Sequence, residues 1–448
     1  MRRVLIANRG EIALRAIRTC RRLGLDSVAV YSSADGNSPH RWAADHAVCI
    51  GPPPPKASYL NEAALIEIAN ATKCDAVYPG YGFLAENAGF AARCAEERLT
   101  FIGPSAEVIA RMGDKVAARQ TAASLGIPVV PGSSEGFTAV AEAKGRADAI
   151  GYPLLLKASA GGGGRGMRIV PEAGAFAALF DQATAEAAAA FGKADVYLER
   201  FFPQVRHIEI QVFGDSHGNY VQLGERDCSV QRRHQKLIEE APSPVLDPAA
   251  RRAMAEAAVS LIRALNYVNA GTIEFIYDAA SAKFFFIEMN TRIQVEHPVT
   301  EMIVGSDLVA EQFQVAAGEK LSVRPSNGAA GAAIEFRVNA EDAEHDFRPS
   351  PGMLKRWRPP SGRAIRLDSH VYENYVVPPF YDSMLGKLIV TGRDRAAAIE
   401  TAASALARFE VAGIATTVPF HAALLRRPEF ARGEIHTRWI ENEWRALQ

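Results

Sequence analysis

Residues 271–301, GTIEFIYDAASAKFFFIEMNTRIQVEHPVTE, constrain this chain more than any other stretch. Thr272, Glu274 and Ile276 alternate with Ile273, Phe275 and Tyr277, and a small polar turn follows around Ser281. The pattern predicts a β-hairpin. Its second strand, Phe284 to Met289, carries Glu288. Positions 274 and 288 are symmetric about residue 281, which sets the two carboxylates opposite each other on one face. Like charges that close repel, and a hard cation between them removes the penalty. Asn290 follows Glu288 by two residues, so it faces the same way and adds an amide oxygen. Glu274, Glu288 and Asn290 therefore form a candidate Mg²⁺ or Mn²⁺ site with bound phosphates. Two exposed carboxylates on a solvated hairpin are the alternative. That account explains poorly the run that follows, Arg292, Gln294, Glu296 and His297.

At 448 residues the chain is too long for one core and predicts two to four packed units. A net charge of -1 argues against a nucleic-acid partner, which would call for a basic excess. The opening MRRVLIANRGEIA breaks its apolar run at Asn8-Arg9-Gly10, too early for a signal peptide, and no apolar span approaches membrane length. Cys20, Cys49, Cys74, Cys94 and Cys228 are odd in number and never in CxxC spacing. They predict neither a disulfide framework nor a zinc site, and a cytoplasmic location is expected.

The first hundred residues alternate short apolar strands (Val4–Ala7, Ser27–Tyr31, Ala47–Ile50, Ala76–Tyr78, Thr100–Ile102) with amphipathic helices such as Glu11–Leu23 and Glu62–Thr72. That rhythm predicts an open parallel sheet with helical crossovers. The first turn, Ala7-Asn8-Arg9-Gly10-Glu11, lacks GxGxxG, so no dinucleotide site is expected. Tyr78–Phe83 is a loop at a strand's carboxyl end. It suits a ligand, or simply a turn that needs two glycines, and both readings stand. Ala106–Leu125 reads as a helical connector through Met112-Gly113-Asp114-Lys115. Residues 131–203 read as a small α+β lid with an Ala-rich helix around Ala183–Ala190. An antiparallel region runs from Gln204 to the hairpin, and Leu308–Ala317 is helical. Ser322–Gly331 is a linker, followed by strands at Ala333–Val338 and Gly386–Val390 and a helix at Arg395–Phe409. The expected fold is a multidomain α/β and α+β chain divided at 1–113, 114–321 and 332–448.

Lys157 ends an apolar strand and precedes four consecutive glycines, 161–164. Such a run costs backbone entropy, and its clustered amides suit phosphate oxygens. No GK[ST] follows, so it is not a Walker A loop; a flexible linker is the other reading. Val196–Phe202 is an apolar hinge strand able to pair with an adenine edge while its side chains sandwich the ring. Arg206–Val212 alternates strictly, placing His207, Glu209 and Gln211 on one face, whether a ligand face or a solvated one. Arg232, Arg233, His234 and Lys236 crowd a segment between strand and helix signals. They suit an anion, or a charged surface loop.

A lysine, a glycine lid, a hinge and a carboxylate pair with a trailing amide are the parts needed to hold MgATP without a P-loop. With these in place the chain resembles the ATP-grasp superfamily and, within it, the biotin carboxylases, over nearly its whole length. The resemblance rests on IANRGEIALR, YPGYGFLAEN, MGDK, KASAGGGGRGM, RHIEIQV, ERDCSVQRRHQK, FIEMNTRIQVEHPVTE, EFRVNAED, PSPG and PPFYDSMLGKLI. The EMNTRIQVEHPVTE block is the most specific; the carbamoyl-phosphate synthetases share the general architecture but lack it. The resemblance implies an N-terminal biotin carboxylase domain, an ATP-grasp domain with a mobile lid, and a C-terminal biotin carboxylase domain. It also implies a reaction: MgATP activates bicarbonate as carboxyphosphate, and carbon dioxide passes to N1 of biotin on a carrier protein.

By motif, the resemblance places Lys115, Lys157, Gly163, Gly164, Glu199, Arg200, Phe201, Phe202, His207, Gln231 and His234 at ATP, with Glu274 and Glu288. It gives the metal to Glu274, Glu288 and Asn290. Bicarbonate falls to Lys236, Arg292, Gln294 and Val295, the general base is Glu296, and Arg337 steadies biotin's enolate oxygen. Arginine suits such work because its planar fork grips oxygens in two places. A surface ion pair of Arg337 with Glu341 or Asp342 is the alternative for that residue. Ala160, Tyr78, Arg200 and Phe202 depart from the family's usual residues without removing a catalytic group. The family dimerises through its first helix and C-terminal region; Arg15, Arg18, Arg21, Arg22, Arg363 and Arg366 make those surfaces cationic here. No Met-Lys-Met-type biotinylation hairpin is present, so the resemblance implies a separate biotin carboxyl carrier protein and carboxyltransferase subunits. Acetyl-CoA is the first expected acceptor, with propionyl-CoA, pyruvate, 2-oxo acid and urea-type systems as alternatives. Two other readings stand beside it: an ATP-grasp ligase joining a carboxylate to an amine or thiol, and a catalytically silent nucleotide-binding regulatory subunit.

Overall fold

The computed structural model describes residues 1–133, 135–158, 167–191, 194–325 and 331–444. Near the N-terminus, β1 (Arg3–Ile6), β2 (Asp26–Tyr31), β3 (His46–Cys49), β4 (Ala76–Tyr78) and β5 (Thr100–Phe101) form a parallel sheet in the order β3-β2-β1-β4-β5. Val4, Leu5 and Ile6 are fully buried, as strands covered on both faces must be. Strand order reverses around β1, so the turns leaving β1 and β4 open a crevice at the carboxyl edge. Asn8–Glu11 and Tyr78–Phe83 meet there: the Asn8 amide donates to the carbonyls of Pro79 and Tyr81, each at 2.7 Å.

The expected connector Ala106–Leu125 is two helices, Ala106–Gly113 and Lys115–Ser124. Asp114 breaks them because its carboxylate caps the second helix, accepting from the N–H groups of Val116 and Ala117. Next comes a three-stranded antiparallel sheet of β6 (Leu154–Ala158), β7 (Met167–Val170) and β8 (Val196–Arg200), ordered β7-β6-β8. Helices Val140–Ile150 and Phe176–Phe191 pack on it through Ala143, Ala147, Phe176 and Phe180. The glycine run with Gly163 and Gly164, and Ala160 before it, lies outside the described residues.

The central element is an eight-stranded antiparallel sheet. Its members are β9 (Arg206–Gly214), β10 (Tyr220–Arg232), β11 (Gln235–Ala241), β12 (Asn269–Asp278), β13 (Lys283–Asn290), β14 (Ala332–Asn339) and the strands Met384–Gly392 and Ile365–Ser369. They run in the order β13-β12-β9-β10-β11-β14, then Met384–Gly392, then Ile365–Ser369. Pairing of β11 with β14 joins the segments before and after the 322–331 linker in one sheet. The cationic segment expected to lie between a strand and a helix is instead a tight hairpin between two strands. Arg232 pairs with Gln235 across Arg233 and His234, both left-handed at φ 47 and 65, the geometry of a two-residue turn matched to strand twist. Helix Arg395–Ala407 and Phe336, Leu388 and Trp439 build the core behind the sheet.

The cationic face expected from the arginines is largely neutralised within the chain. Arg15 is buried against Glu301 (3.0 Å) and Asp307 (2.6 Å), Arg22 also reaches Asp307, and Arg366 pairs with Glu301 and Asp368. Arg18 and Arg363 stay exposed. All five cysteines are free thiols. Among the described residues no helix is long and apolar enough to cross a membrane.

Candidate active site

The hairpin β12–β13 sets Glu274 directly opposite Glu288, with a bulge just beyond Glu274. Their surroundings differ. Glu274 is buried, and its Oε1 accepts from Lys236 Nζ (3.0 Å), Asn290 Nδ2 (3.0 Å) and Gln294 Nε2 (3.1 Å). His207 Nε2 lies 3.1 Å from the other oxygen. Burial opposes the charge, but Lys236 and His207 outweigh it and hold Glu274 well below the usual carboxylate range. Glu288 has Lys115 Nζ at 4.0 Å. Burial and the charge of Glu274 push it up. A half-exposed carboxylate repelled by an in-register neighbour suits a divalent cation, so the donor set fits Mg²⁺ or Mn²⁺. Asn290 turns its NH₂ to Glu274 and its oxygen to Arg292 Nη2 (3.0 Å), and would have to turn over to offer that oxygen to a metal.

Lys236, on β11, is the hub. Its ammonium donates to Glu209 (2.6 Å), Glu274 (3.0 Å) and Glu296 (2.7 Å). Glu296 sits at the start of helix His297–Val304, has no solvent exposure, and accepts from Arg337 Nη2 at 2.9 Å. Burial resists its ionisation, yet Lys236, Arg337 and Arg226 keep it well below the usual carboxylate range. The face of β9 that carries His207, Glu209 and Gln211 is therefore no solvated face: Glu209 and Gln211 are fully buried. Arg226, also fully buried, binds both of them and Thr300 (2.8 Å). Cys228 Sγ lies 4.0 Å from Glu296, and burial pushes that thiol far up.

Arg292 is held by Glu86 (Nε, 2.8 Å), Gln294 (Nη1, 2.9 Å) and Asn290. Glu86, next to last in YPGYGFLAEN and three residues beyond the Tyr78–Phe83 loop, thus delivers a partner to the site. Arg337 pairs with Glu239 (2.6 Å) and Glu296, not with Glu341 or Asp342. The Val295 carbonyl accepts from buried Lys387 (2.9 Å), which also binds Glu11 (2.8 Å). Arg337, Val295 and Gln235 line a cavity of about 500 Å³, closed on its other side by Asn8–Ile12, Tyr81–Phe83 and Phe380–Met384.

Farther out, Lys157 and Arg119 Nη1 (3.1 Å) converge on Glu199 across the three-stranded sheet. Phe202 stacks on Phe285 of the hairpin with centroids 5.1 Å apart, and Arg438 lies over Phe201. Arg200 points back to the Ile150 carbonyl at 3.5 Å. Gln231 is buried on β10, and His234 occupies the hairpin turn. The structure thus gathers Lys236, Arg292, Gln294, Glu296 and Arg337 around one point. Lys157, Arg119 and Glu199 form a separate group, and Lys115 lies beside Glu288. Sequence reasoning missed Glu86, Arg226, Glu239 and Lys387. Glu86, Arg226 and Lys387 lie in motifs already quoted; Glu239 lies in none and joins the site only through strand pairing.

Residues 1–109 match the family described as biotin carboxylase, N-terminal domain, and residues 335–442 match the biotin carboxylase C-terminal domain. Residues 114–324 match the carbamoyl-phosphate synthase L chain, ATP binding domain. A biotin carboxylase from a Nostoc species is 50% identical over 98% of this chain and 98% of its own. A pyruvate carboxylase subunit from Methanothermobacter thermautotrophicus is 48% identical, over 99% of this chain and 90% of its own. Among solved structures, a biotin carboxylase–ATP complex from Campylobacter jejuni superposes with a TM-score of 0.93 at 45% identity, covering 99% of both chains. The biotin carboxylase domain dimer of Hydrogenobacter thermophilus 2-oxoglutarate carboxylase, solved with MgADP, ADP and bicarbonate, gives 0.93 at 44%, covering 100% of this chain and 98% of that one. With all three segments matched and relatives half identical end to end, this chain belongs to the biotin carboxylase family.

Proposed function

We propose that this chain uses MgATP and bicarbonate to carboxylate biotin carried on a separate protein, as the biotin carboxylase component of acetyl-CoA carboxylase. The observation that carries the reading is Glu296, a fully buried carboxylate gripped by Lys236 and Arg337 beside the cavity that Arg337 and Val295 line. Bicarbonate entering beside Lys236 and Arg292 would share their positive charge. Glu296 then loses part of the field that keeps it ionised, its proton affinity rises, and it can take the bicarbonate proton. The deprotonated anion is poised to attack the γ-phosphate. A divalent cation held by Glu274 and Glu288 would offset phosphate charge during that attack.

Arg337 then faces the cavity with a charge able to stabilise negative charge on biotin's ureido oxygen, a contribution of about 3 kcal/mol in comparable sites. Lys115, Lys157, Glu199 to Phe202, His207, Gln231 and His234, with Gly163 and Gly164, are assigned to the nucleotide. The division at 1–113, 114–321 and 332–448 is retained, and the limits of the family matches lie close to it. A homodimer is proposed on the strength of the dimeric Hydrogenobacter relative.

The test is ATP hydrolysis that depends on bicarbonate and rises with free biotin. Absence of biotin stimulation at any concentration would overturn the reading. ADP release with an acyl acceptor and no bicarbonate would point to another ATP-grasp ligase, and ATP binding without turnover to a silent regulatory subunit. A second reading of the complex, pyruvate carboxylase, is favoured by the 48% identity to the Methanothermobacter protein. Reconstitution with each carrier and carboxyltransferase, followed by labelled bicarbonate into malonyl-CoA or oxaloacetate, separates the two.

A further inference from the structure

The wall of the site behind Arg337 holds a second pair of carboxylates. Glu239 on β11 and Glu335 on β14 are in-register partners, so they share a face with their Cβ atoms about 5 Å apart. Both are fully buried. Helix His297–Val304 packs over this face, Val299 meeting Ala241 and Ala333. Glu239 Oε1 accepts from Arg337 Nε at 2.6 Å, while Nη2 of the same guanidinium reaches Glu296. Glu239 Oε2 and both oxygens of Glu335 have no hydrogen-bond partner among the described residues. If both groups were ionised, three buried carboxylate oxygens on in-register neighbours would be left with no donor, an arrangement that desolvation makes prohibitive. A proton on Glu335 supplies the missing donor.

We infer that Glu239 is a positioning residue for Arg337 and that Glu335 shares a single proton with it, so the pair presents one negative charge to the guanidinium rather than two. The inference rests on the reading of Arg337 given above. The charged groups facing the pair are Arg337, Glu296, Lys236 and Lys387, the last already paired with Glu11. His297, on the covering helix, is held neutral by burial and by Lys387. Burial, opposed by Arg337 and reinforced by Glu296, pushes Glu239 up to about 7. Burial raises Glu335 further, against Lys387 and with Glu239. Two like charges that close do not both ionise at neutral pH, and the proton belongs to the pair. Held at two of its nitrogens, the guanidinium cannot swing away from the cavity, which is what pre-organises it for charge that develops only in the transition state.

Three variants test this. Glu239→Gln keeps the shape but loses the charge. It should lower kcat for biotin carboxylation about 10²-fold, the effect of a catalytic group displaced by roughly an ångström, while leaving KM for MgATP unchanged. Glu239→Asp should recover part of the loss. Glu335→Gln imitates a protonated carboxyl and should stay near wild type in kcat, while removing one protonated-carboxyl C=O band from the infrared spectrum. An unchanged kcat in Glu239→Gln overturns the positioning role. A Glu335→Gln variant as impaired as Glu239→Gln, or an infrared band that persists, overturns the shared proton. Should Glu239→Gln fail to fold, Glu239→Asp and the infrared band still decide. Arg337→Ala is the control: if it too leaves biotin-dependent turnover intact, the assignment of Arg337 fails rather than that of Glu239.

Discussion

Two in-register glutamate pairs sit in the same eight-stranded sheet and are handled in different ways. Glu274 and Glu288 pair across β12 and β13 at the sheet's open end, where Glu288 keeps solvent access and a distant lysine. Glu239 and Glu335 pair across β11 and β14 under a helix, without solvent. A third juxtaposition, Glu209 opposite Glu274, is bridged directly by Lys236. Like charges opposite each other destabilise a sheet unless something neutral or positive is put between them. A wet pair can wait for a divalent cation, a buried pair beside a strand lysine takes the ammonium, and a dry pair with no spare cation keeps a proton. Where water can reach decides which solution a given pair adopts.

The largest effect is expected at Glu296, the carboxylate that Lys236 and Arg337 share. Glu296→Gln should lower bicarbonate-dependent turnover ~10²–10⁴-fold, with MgATP affinity near normal because Glu296 stands off the proposed phosphate clamp. Steady-state kinetics with MgATP titrated at saturating bicarbonate check it. Lost MgATP affinity in this variant would mean that the open pair and the base have been assigned the wrong way round.

Glu288→Gln comes next and acts on the open pair alone. It should weaken Mg²⁺ and MgATP together, raising KM for MgATP by about tenfold, the scale of a lost ligand-shell interaction. The same change relieves the repulsion from Glu274, so the metal-free variant should melt no lower than wild type. Calorimetry with and without Mg²⁺ measures both. A lower melting temperature without metal would show that Glu288 is stabilised by something other than a cation.

The smallest effect distinguishes the pairs by pH. A buried carboxyl raised to about 7 binds more protons in the folded than in the unfolded chain between about pH 4.5 and 7. Its contribution is therefore fully present below the ordinary carboxylate range and is lost as pH rises toward 7. Glu274 has the opposite sign, because it is held low: its contribution is present above the ordinary range and is lost as pH falls below it. Chemical denaturation across this range should show a shallow decline of stability toward neutral pH that Glu239→Gln reduces. A decline untouched by Glu239→Gln would place the proton elsewhere.

Much of this was readable from local pattern. Alternation around a short turn placed Glu274 opposite Glu288, because hairpin register follows from a few adjacent residues, and β1–β5 emerged from apolar runs within a residue or so of their ends. Local pattern misled where a short-range signal competed with it. The cationic run at Arg232–Lys236 read as lying between a strand and a helix, yet two left-handed residues turn it into a hairpin between two strands. The carboxylate of Asp114 split what looked like one helix.

By itself, then, the sequence determined the family, the parallel N-terminal sheet and the identity of the charged groups near the β12–β13 hairpin, all written in contiguous motifs. Tertiary structure alone decided which charges meet. Glu239 reaches Glu335, Lys387 reaches Glu11 and Val295, and Glu86 reaches Arg292 only because strands and loops distant in the chain are brought side by side. Whether a carboxylate ends up against a lysine, a waiting metal or another carboxylate depends on that pairing and on the water it excludes, and residue order carries neither in readable form.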